Sequence, residues 1–311
     1  MKPIVKWVGG KSQLLDTIKK KLPKKFNKYY EPFLGGGAVL LDLDVDTAIV
    51  NDINPELINM YIQVRDNVEQ VIDFLTLLDT HHEKEGVDPK DFYYRIRTVF
   101  NWNLVEKKTP EQAARFIYLN KHCFNGLYRV NKKGEFNVPF NGKLTGGSFD
   151  PDHLRAVSAK LQNVQFKCGD FKDAIFNPPA SEGDFIFFDS PYDLITDTSF
   201  VDYSKEGFKF DDHVRLAELF KSLSNKGVYC MLTNHNTPFI RELYKDYKIE
   251  VVEVRRSINR NGKDRKGTEV IITNYNCAGE ILAPMSKLMD SLQQKVYGAL
   301  GLPAELLTDT K

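Results

Sequence analysis

The chain reads as an α/β protein built on an open, mostly parallel sheet, with an inserted helical domain that carries a β-hairpin. Three observations predict this. Residues 184–189 (DFIFFD) are apolar throughout the middle without alternation, as a strand covered on both faces should be. Strand-like and helix-like segments alternate early in the chain and again from about 166 to 275. Between them, residues 54–165 interrupt that alternation with long helical patterns. The expected boundaries are a core of 1–53 and 166–276, an insertion of 54–165, and a tail of 277–311 whose role is not legible.

In chain order, Leu14, Leu15, Ile18 and Leu22 set a helical spacing over 13–22. Residues 29–33 (YYEPF) lead into Gly35-Gly36-Gly37, with the helix-compatible AVLLDL behind. Residues 47–51 predict a short buried strand that ends at Asp52. Asn54 as N-cap and Pro55 at the first position open a helix running to 80. The helical pattern returns over 90–122, interrupted at Thr109-Pro110. Residues 123–149 are basic and rich in Gly and Asn, and alternation in GEFNVPF suggests a hairpin. A helix over 152–162 then leads to the strand VQFKCGD and to DFIFFD. Beyond them lie a helix from Asp211 to Ser224, the strand VYCMLTN, a helix over 237–246 and a last strand, EVIITNY. In the tail, Met285, Leu288, Met289 and Leu292 suit an amphipathic helix.

Composition narrows the class. With 42% hydrophobic and 27% charged residues in 311, low-complexity disorder is excluded, and four widely spaced cysteines do not make a disulfide scaffold. The absence of a CxxC pair argues for a reducing cytosol and against structural zinc. No apolar run is long enough to span a bilayer, and the start of the chain has no signal-peptide core. The formal net charge of +1 is a cancellation. Residues 1–30 hold nine Lys against one acid, 90–167 fourteen basic residues against six acids, and 255–267 six against one. Residues 31–89 hold two basic residues against thirteen acids, and 168–254 nine against sixteen. Each block alone suits a solvated face; three basic blocks brought together by a fold would form a polyanion cleft.

Phe33, Gly35 and Gly37 belong to a loop whose glycines let backbone approach a ligand closely, though a structural tight turn has the same composition. The loop matches neither the dinucleotide fingerprint nor a P-loop. Asp52, ending the next strand, can accept hydrogen bonds from a ribose diol. Together they favour a nucleoside ligand without a pyrophosphate, a description S-adenosylmethionine fits. Asp189-Ser190-Pro191-Tyr192 ends DFIFF at the carboxyl edge where doubly wound sheets hold their sites. An exocyclic base amine is a poor nucleophile because its lone pair is delocalised. A carboxylate and a turn carbonyl accepting its two N–H bonds would hold it toward a reactive geometry, and Tyr192 would stack on an extruded base. A strand-ending turn with a core tyrosine is the plainer alternative.

Trp7 is placed to lie against a sulfonium or an adenine, and Lys11 to reach a carboxylate. A buried Trp and a solvated Lys fit equally. Asp170 and Phe171, after a strand, would bind adenine by hydrogen bond and stacking. In the 120–140 segment, Arg129 is flanked by Tyr128, Asn131, Lys132 and Lys133, with Phe124 and Asn125 at the preceding turn. Arginine reads guanine bidentately, lysines neutralise phosphates, and an exposed aromatic wedges a base step. The Asn177-Pro178-Pro179-Ala180 stretch precedes its strand and is read as loop, and His81-His82 as solvent-exposed histidine.

These residues together resemble the Dam family of DNA adenine-N6 methyltransferases. The resemblance rests on KWVGGK at 6–11, EPFLGGGAV at 31–39, NDIN at 51–54, CFNGLYRVNKKGEFNVPF at 123–140, GDF at 169–171 and FFDSPY at 187–192. FDDHVRLAEL at 210–219, LTNHN at 232–236, RRSI at 255–258 and EVIITNY at 269–275 extend it in the family's order. It implies a Rossmann-like methyltransferase core with an inserted target-recognition domain, using S-adenosylmethionine and no metal. It carries cofactor binding to Trp7, Lys11, Phe33, Gly35, Gly37, Asp52, Asp170, Phe171 and Asp189. It carries catalysis to Asp189, Ser190, Pro191 and Tyr192, and DNA contact to Lys6, Phe124, Asn125 and Arg129, beside which Asn131 and Lys132 are further candidates. The implied partner is double-stranded DNA with a GATC or GAT-containing site, acted on by a cytoplasmic monomer without a membrane role, with a cognate restriction endonuclease as a candidate partner. Ser190 departs from the family's usual first proline of DPPY. A DNA-binding member with weakened or lost catalysis is therefore the alternative, and cytosine N4 or a protein glutamine amide are alternative acceptors.

Overall fold

The structure is a computed structural model in which residues 1–102, 108–143, 147–193, 208–255, 266–276 and 280–282 are described. Its centre is a seven-stranded sheet: β1 (Tyr29–Glu31), β2 (Ala48–Asp52), β3 (Val164–Cys168), β4 (Phe185–Phe188), β5 (Tyr229–His235), β6 (Lys248–Arg255) and β7 (Lys266–Thr273). The spatial order is β3-β2-β1-β4-β5-β7-β6. The first five strands pair in parallel, and β7 runs antiparallel between β5 and β6. Strand order reverses between β1 and β4, which makes their carboxyl ends the topological switch point.

Alternation along each strand explains the two layers. Tyr29, Val50, Phe185, Phe187, Met231 and Ile271 enter one apolar cluster. Tyr30, Ile49, Ile186, Phe188, Cys230, Leu232, Val270 and Ile272 enter the other. The unbroken apolar run of β4 follows from this, because both of its faces are covered.

The first layer holds α1 (Leu15–Lys20), α2 (Ala38–Asp42), α3 (Pro55–Asp66), α4 (Val68–Glu85), α5 (Pro89–Trp102), α6 (Pro110–His122) and α7 (Pro151–Lys160). The second holds α8 (Asp173–Phe176), α9 (Phe210–Asn225) and α10 (Pro238–Leu243). Asn54 caps α3, accepting from the N–H groups of Glu56 and Leu57 with Pro55 first in the helix. Thr109 caps α6 likewise. Among the described residues, no helix is long and apolar enough to cross a membrane.

Three expectations are corrected. The helix expected over 54–80 is two, because Asn67 leaves helical geometry (φ −136°) and its amide donates back to Gln63 Oε1 at 2.8 Å. The hairpin has no regular ladder: isolated bridges Val130–Phe136 and Cys123–Phe140 close it, with the Asn131 and Glu135 side chains bonded across its tip. The last strand begins at Lys266 and closes at Thr273. Two strands, β1 and β6, were not predicted. The expected amphipathic helix of the tail lies outside the described residues.

Candidate active site

Five carboxyl strand ends and one strand start converge on one opening. The parallel strands deliver Glu31, Asp52, Cys168, Phe188 and His235 at their ends, with the loops that follow. Because β7 is antiparallel, it instead brings its beginning there, and Glu269 pairs in register with His235. The result is a cavity of about 800 Å³ walled by the Lys6–Lys11 segment, the glycine loop, Asp52, Asp170, Phe171 and the 189–192 turn.

The glycine loop needs its glycines. Gly35 and Gly37 have φ of +50° and +65°, where a Cβ is strained. A Cβ on Gly35 would meet Trp7 Cδ1 at 3.0 Å, and one on Gly37 would meet the Tyr61 hydroxyl at 2.8 Å. Asp52 fixes the loop: its Oδ2 accepts from the Gly35 N–H and its Oδ1 from the Asn54 N–H, both at 2.9 Å. Burial pushes the Asp52 carboxyl above the usual range, and these backbone donors oppose that shift.

At the opposite wall, Lys11 Nζ lies 2.6 Å from Asp189 Oδ1 and donates to the Gly9 carbonyl at 2.6 Å. The carboxylate that Lys11 reaches is thus the protein's own. Thr233 Oγ1 donates to the same Asp189 oxygen at 2.8 Å. Burial raises the Asp189 carboxyl above its ordinary value, against the pull of Lys11 and Thr233. The Tyr192 ring stands 4.5 Å from Lys11 Nζ and edge-on to His235, and its hydroxyl donates to Glu269 Oε2 at 2.7 Å. Ser190 is buried and Pro191 half-buried.

Asp170 and Phe171 reach the cavity already engaged. Asp170 Oδ2 accepts from Arg215 Nη2 at 2.9 Å, and that guanidinium lies 5.1 Å from the centre of the Phe171 ring. Phe171 stacks on Phe33 at 5.3 Å. Trp7 lines the cavity beneath the glycine loop, where its ring stacks on Tyr128 at 5.5 Å. This contact ties the loop to the hairpin. Asn120 strengthens the tie, accepting from the Lys6 N–H and donating to the carbonyls of Lys6 and Gly126.

Of the expected DNA-contacting residues, Lys6 and Asn125 line the cavity, while Phe124, Arg129, Asn131 and Lys132 lie outside its wall. Phe124 is 52% exposed, and Asn125 takes a left-handed φ of 58°. Arg129 is exposed, with Nε donating to Asn137 Oδ1 at 2.7 Å. Lys132 is exposed, while Asn131 is half-buried and committed to the hairpin tip.

Glu31, Arg215, Thr233, Asn234 and Glu269 were not singled out from sequence. Glu31 had a readable signal, an acid ending an apolar segment just before a glycine loop. It is 2% exposed, accepts from the Tyr29 hydroxyl and the Leu40 N–H, and is pushed by burial up to about 8. Arg215, Asn234 and Glu269 lie in segments that carry the family resemblance, but their residue types alone mark no site, since register and packing bring them here. Among the described residues, no three His, Cys, Asp or Glu side chains are grouped as metal ligands.

Comparison with known proteins shows the family. Residues 7–258 match the family model of the D12 class N6 adenine-specific DNA methyltransferase. A type II methyltransferase M1.LlaDCHI of Lactococcus lactis subsp. cremoris is 41% identical, over 88% of this chain and 96% of its own. A type II methyltransferase M.MjaIII of Methanocaldococcus jannaschii is 40% identical, over 88% and 99%. The DNA adenine methylase of Escherichia coli K12 is 34% identical, over 87% and 94%. The switch-point cavity, its glycine loop and its Asp-Ser-Pro-Tyr turn are those of a chain that belongs to the D12 class of N6 adenine-specific DNA methyltransferases.

Proposed function

We propose that this chain transfers a methyl group from S-adenosylmethionine to N6 of an adenine flipped out of duplex DNA, within a GATC or other GAT-containing site. The observation that carries the reading is the shared cavity: the Asp189–Tyr192 turn and the glycine loop with Asp52 open into the same space.

The residues present fit the cofactor. Asp52 accepts from the Gly35 and Asn54 N–H groups, one on each oxygen, and would offer further lone pairs to a ribose diol. Asn51, on the cavity wall, carries a buried Oδ1 with no hydrogen-bond partner among the described residues, an acceptor suited to an amine donor. Phe33 and Phe171 supply aromatic surface, and Trp7 closes the loop from below. When bound, S-adenosylmethionine supplies an activated methyl group on a sulfonium sulfur.

The chain's own residues then hold the acceptor. Asp189, kept in place by Lys11 and Thr233, accepts one N–H of the adenine amine, and a carbonyl of the 190–191 turn accepts the other. Tyr192 offers its ring to the extruded base. In this reading residues 54–165 form the target-recognition domain. Arg129, braced by Asn137, reads a base; Lys6, Asn125 and Lys132 meet the backbone, while Asn131 holds the hairpin tip that presents them; Phe124 wedges a base step. We place the protein in the cytoplasm as a monomer, and a cognate restriction endonuclease beside it, a reading supported by the type II names of two relatives. The test is transfer of labelled methyl from S-adenosylmethionine to a duplex containing GATC and to one of equal composition without it. Label in N6-methyladenine of the first duplex alone is expected; no label in either overturns the reading.

A further inference from the structure

Position 190 is where the turn lacks a second proline, so no ring fixes its φ. The structure holds this position by other means. Ser190 is 2% exposed, and its hydroxyl oxygen accepts from Asn234 Nδ2 at 3.3 Å. Asn234, fully buried near the end of β5, uses its Oδ1 to accept from the N–H groups of Asp193 at 2.9 Å and His235 at 2.8 Å. One side-chain amide therefore grips the turn on both flanks, by the side chain of 190 and by the backbone of 193. Pro191 and Tyr192 lie between the two grips. The preceding strand residue, Thr233, holds Asp189, so consecutive residues of β5 fasten consecutive residues of the turn.

We propose that Asn234, acting through Ser190, is a positioning residue for methyl transfer, its hydrogen bonds supplying the rigidity that a proline at 190 would otherwise give. This rests on the reading of residues 189–192 as the amine-holding turn. A buried amide with both ends committed has few alternative arrangements, since breaking either bond strands a polar group away from water. The fixed distance between positions 190 and 193 constrains the two residues that the amine and the base would touch. A serine or alanine turn without Asn234 would sample more geometries, and the rate of transfer would fall without a matching loss of binding.

The experiment compares Ser190→Ala, Asn234→Ala, the double variant, and Asn234→Ala combined with Ser190→Pro. Single-turnover methylation of adenine in a duplex substrate is normalised to the bound S-adenosylmethionine of each preparation, so that misfolded protein does not count. Each single variant is expected to be slower by about tenfold, with dissociation constants for cofactor and duplex unchanged. The double variant should be no slower than the worse single one. Ser190→Pro should recover part of the rate lost in Asn234→Ala, which a merely structural role would not give. Fully additive losses, absence of recovery, or wild-type rates per folded molecule in both singles overturn the proposal. If Asn234→Ala does not fold, Ser190→Ala decides alone, because removing one hydroxyl leaves the core intact: a wild-type rate overturns the proposal and a loss in rate with unchanged binding supports it. A wild-type enzyme that makes no N6-methyladenine overturns the functional reading itself, and this inference with it.

Discussion

Lys11 Nζ stands 2.6 Å from Asp189 Oδ1 and 4.5 Å from the centre of the Tyr192 ring, so one cation touches both the carboxylate and the aromatic of the turn. The lysine is 5% exposed and Asp189 18% exposed, so little water screens the pair. Burial raises the Asp189 carboxyl and Lys11 pulls it down. Replacing Lys11 by Met removes the downward pull, and the carboxylate then takes up its proton at a higher pH. The acidic limb of the single-turnover pH–rate profile should shift upward in Lys11→Met. Superimposable acidic limbs would show that Lys11 does not govern Asp189.

Gly37 should not tolerate alanine. Its φ of +65° costs an L residue about 1–2 kcal/mol, before any clash. The added Cβ would also stand 2.8 Å from the Tyr61 hydroxyl. Urea unfolding of Gly37→Ala should show at least that loss, with weakened S-adenosylmethionine binding. Tyr61→Phe in the same background should recover part of both. A Gly37→Ala variant of unchanged stability would contradict the loop geometry.

Glu31 makes stability fall as pH rises. Its ordinary value is 4.5 and burial lifts it to about 8, so the folded state binds the proton more tightly than the unfolded state. The associated stabilisation is complete below 4.5 and is lost as pH rises through about 8. Glu31→Gln keeps an acceptor for Tyr29 and Leu40 without the ionisation. Thermal unfolding across this range should show a falling midpoint for the wild type and a flatter one for the variant. Equal slopes would remove Glu31 from the account.

The hairpin should separate sequence reading from phosphate contact. Arg129→Ala should cost about 1–3 kcal/mol of discrimination at one base position. Lys132→Ala should weaken binding to all duplexes alike and lower the salt slope by about one. Titrations of cognate and single-substituted duplexes at several salt concentrations distinguish the two. Loss of discrimination in Lys132→Ala, with none in Arg129→Ala, would reverse the assignment.

The sheet was legible where local pattern and tertiary role coincide. DFIFF shows a doubly covered strand by its composition, Asn54-Pro55 marks a helix start through a cap that works within one turn, and Thr109-Pro110, read as an interruption, is the cap of the next helix. β1 carries no readable strand pattern because it is three residues long, nor does β6, because KIEVVEVR carries four charges at the sheet's edge. Asn67 was unreadable as a break because apolar periodicity continues on both sides of it. In the site, glycines, strand-end acids and the Asp-Ser-Pro-Tyr turn announce themselves by residue type. Glu269 and Asn234 do not, since an antiparallel register places one and a buried hydrogen bond the other. Arg215 reached Asp170 across 45 residues by helix packing.

The central claim, that Asp189 and its turn hold an adenine amine for methylation, is met most directly by sequencing modified bases in DNA exposed to the purified protein and S-adenosylmethionine. The predicted result is N6-methyladenine confined to one short motif for the wild type, and none with Asp189→Ala. Methyl on cytosine N4, no modified adenine at all, or an undiminished adenine signal from Asp189→Ala would contradict it.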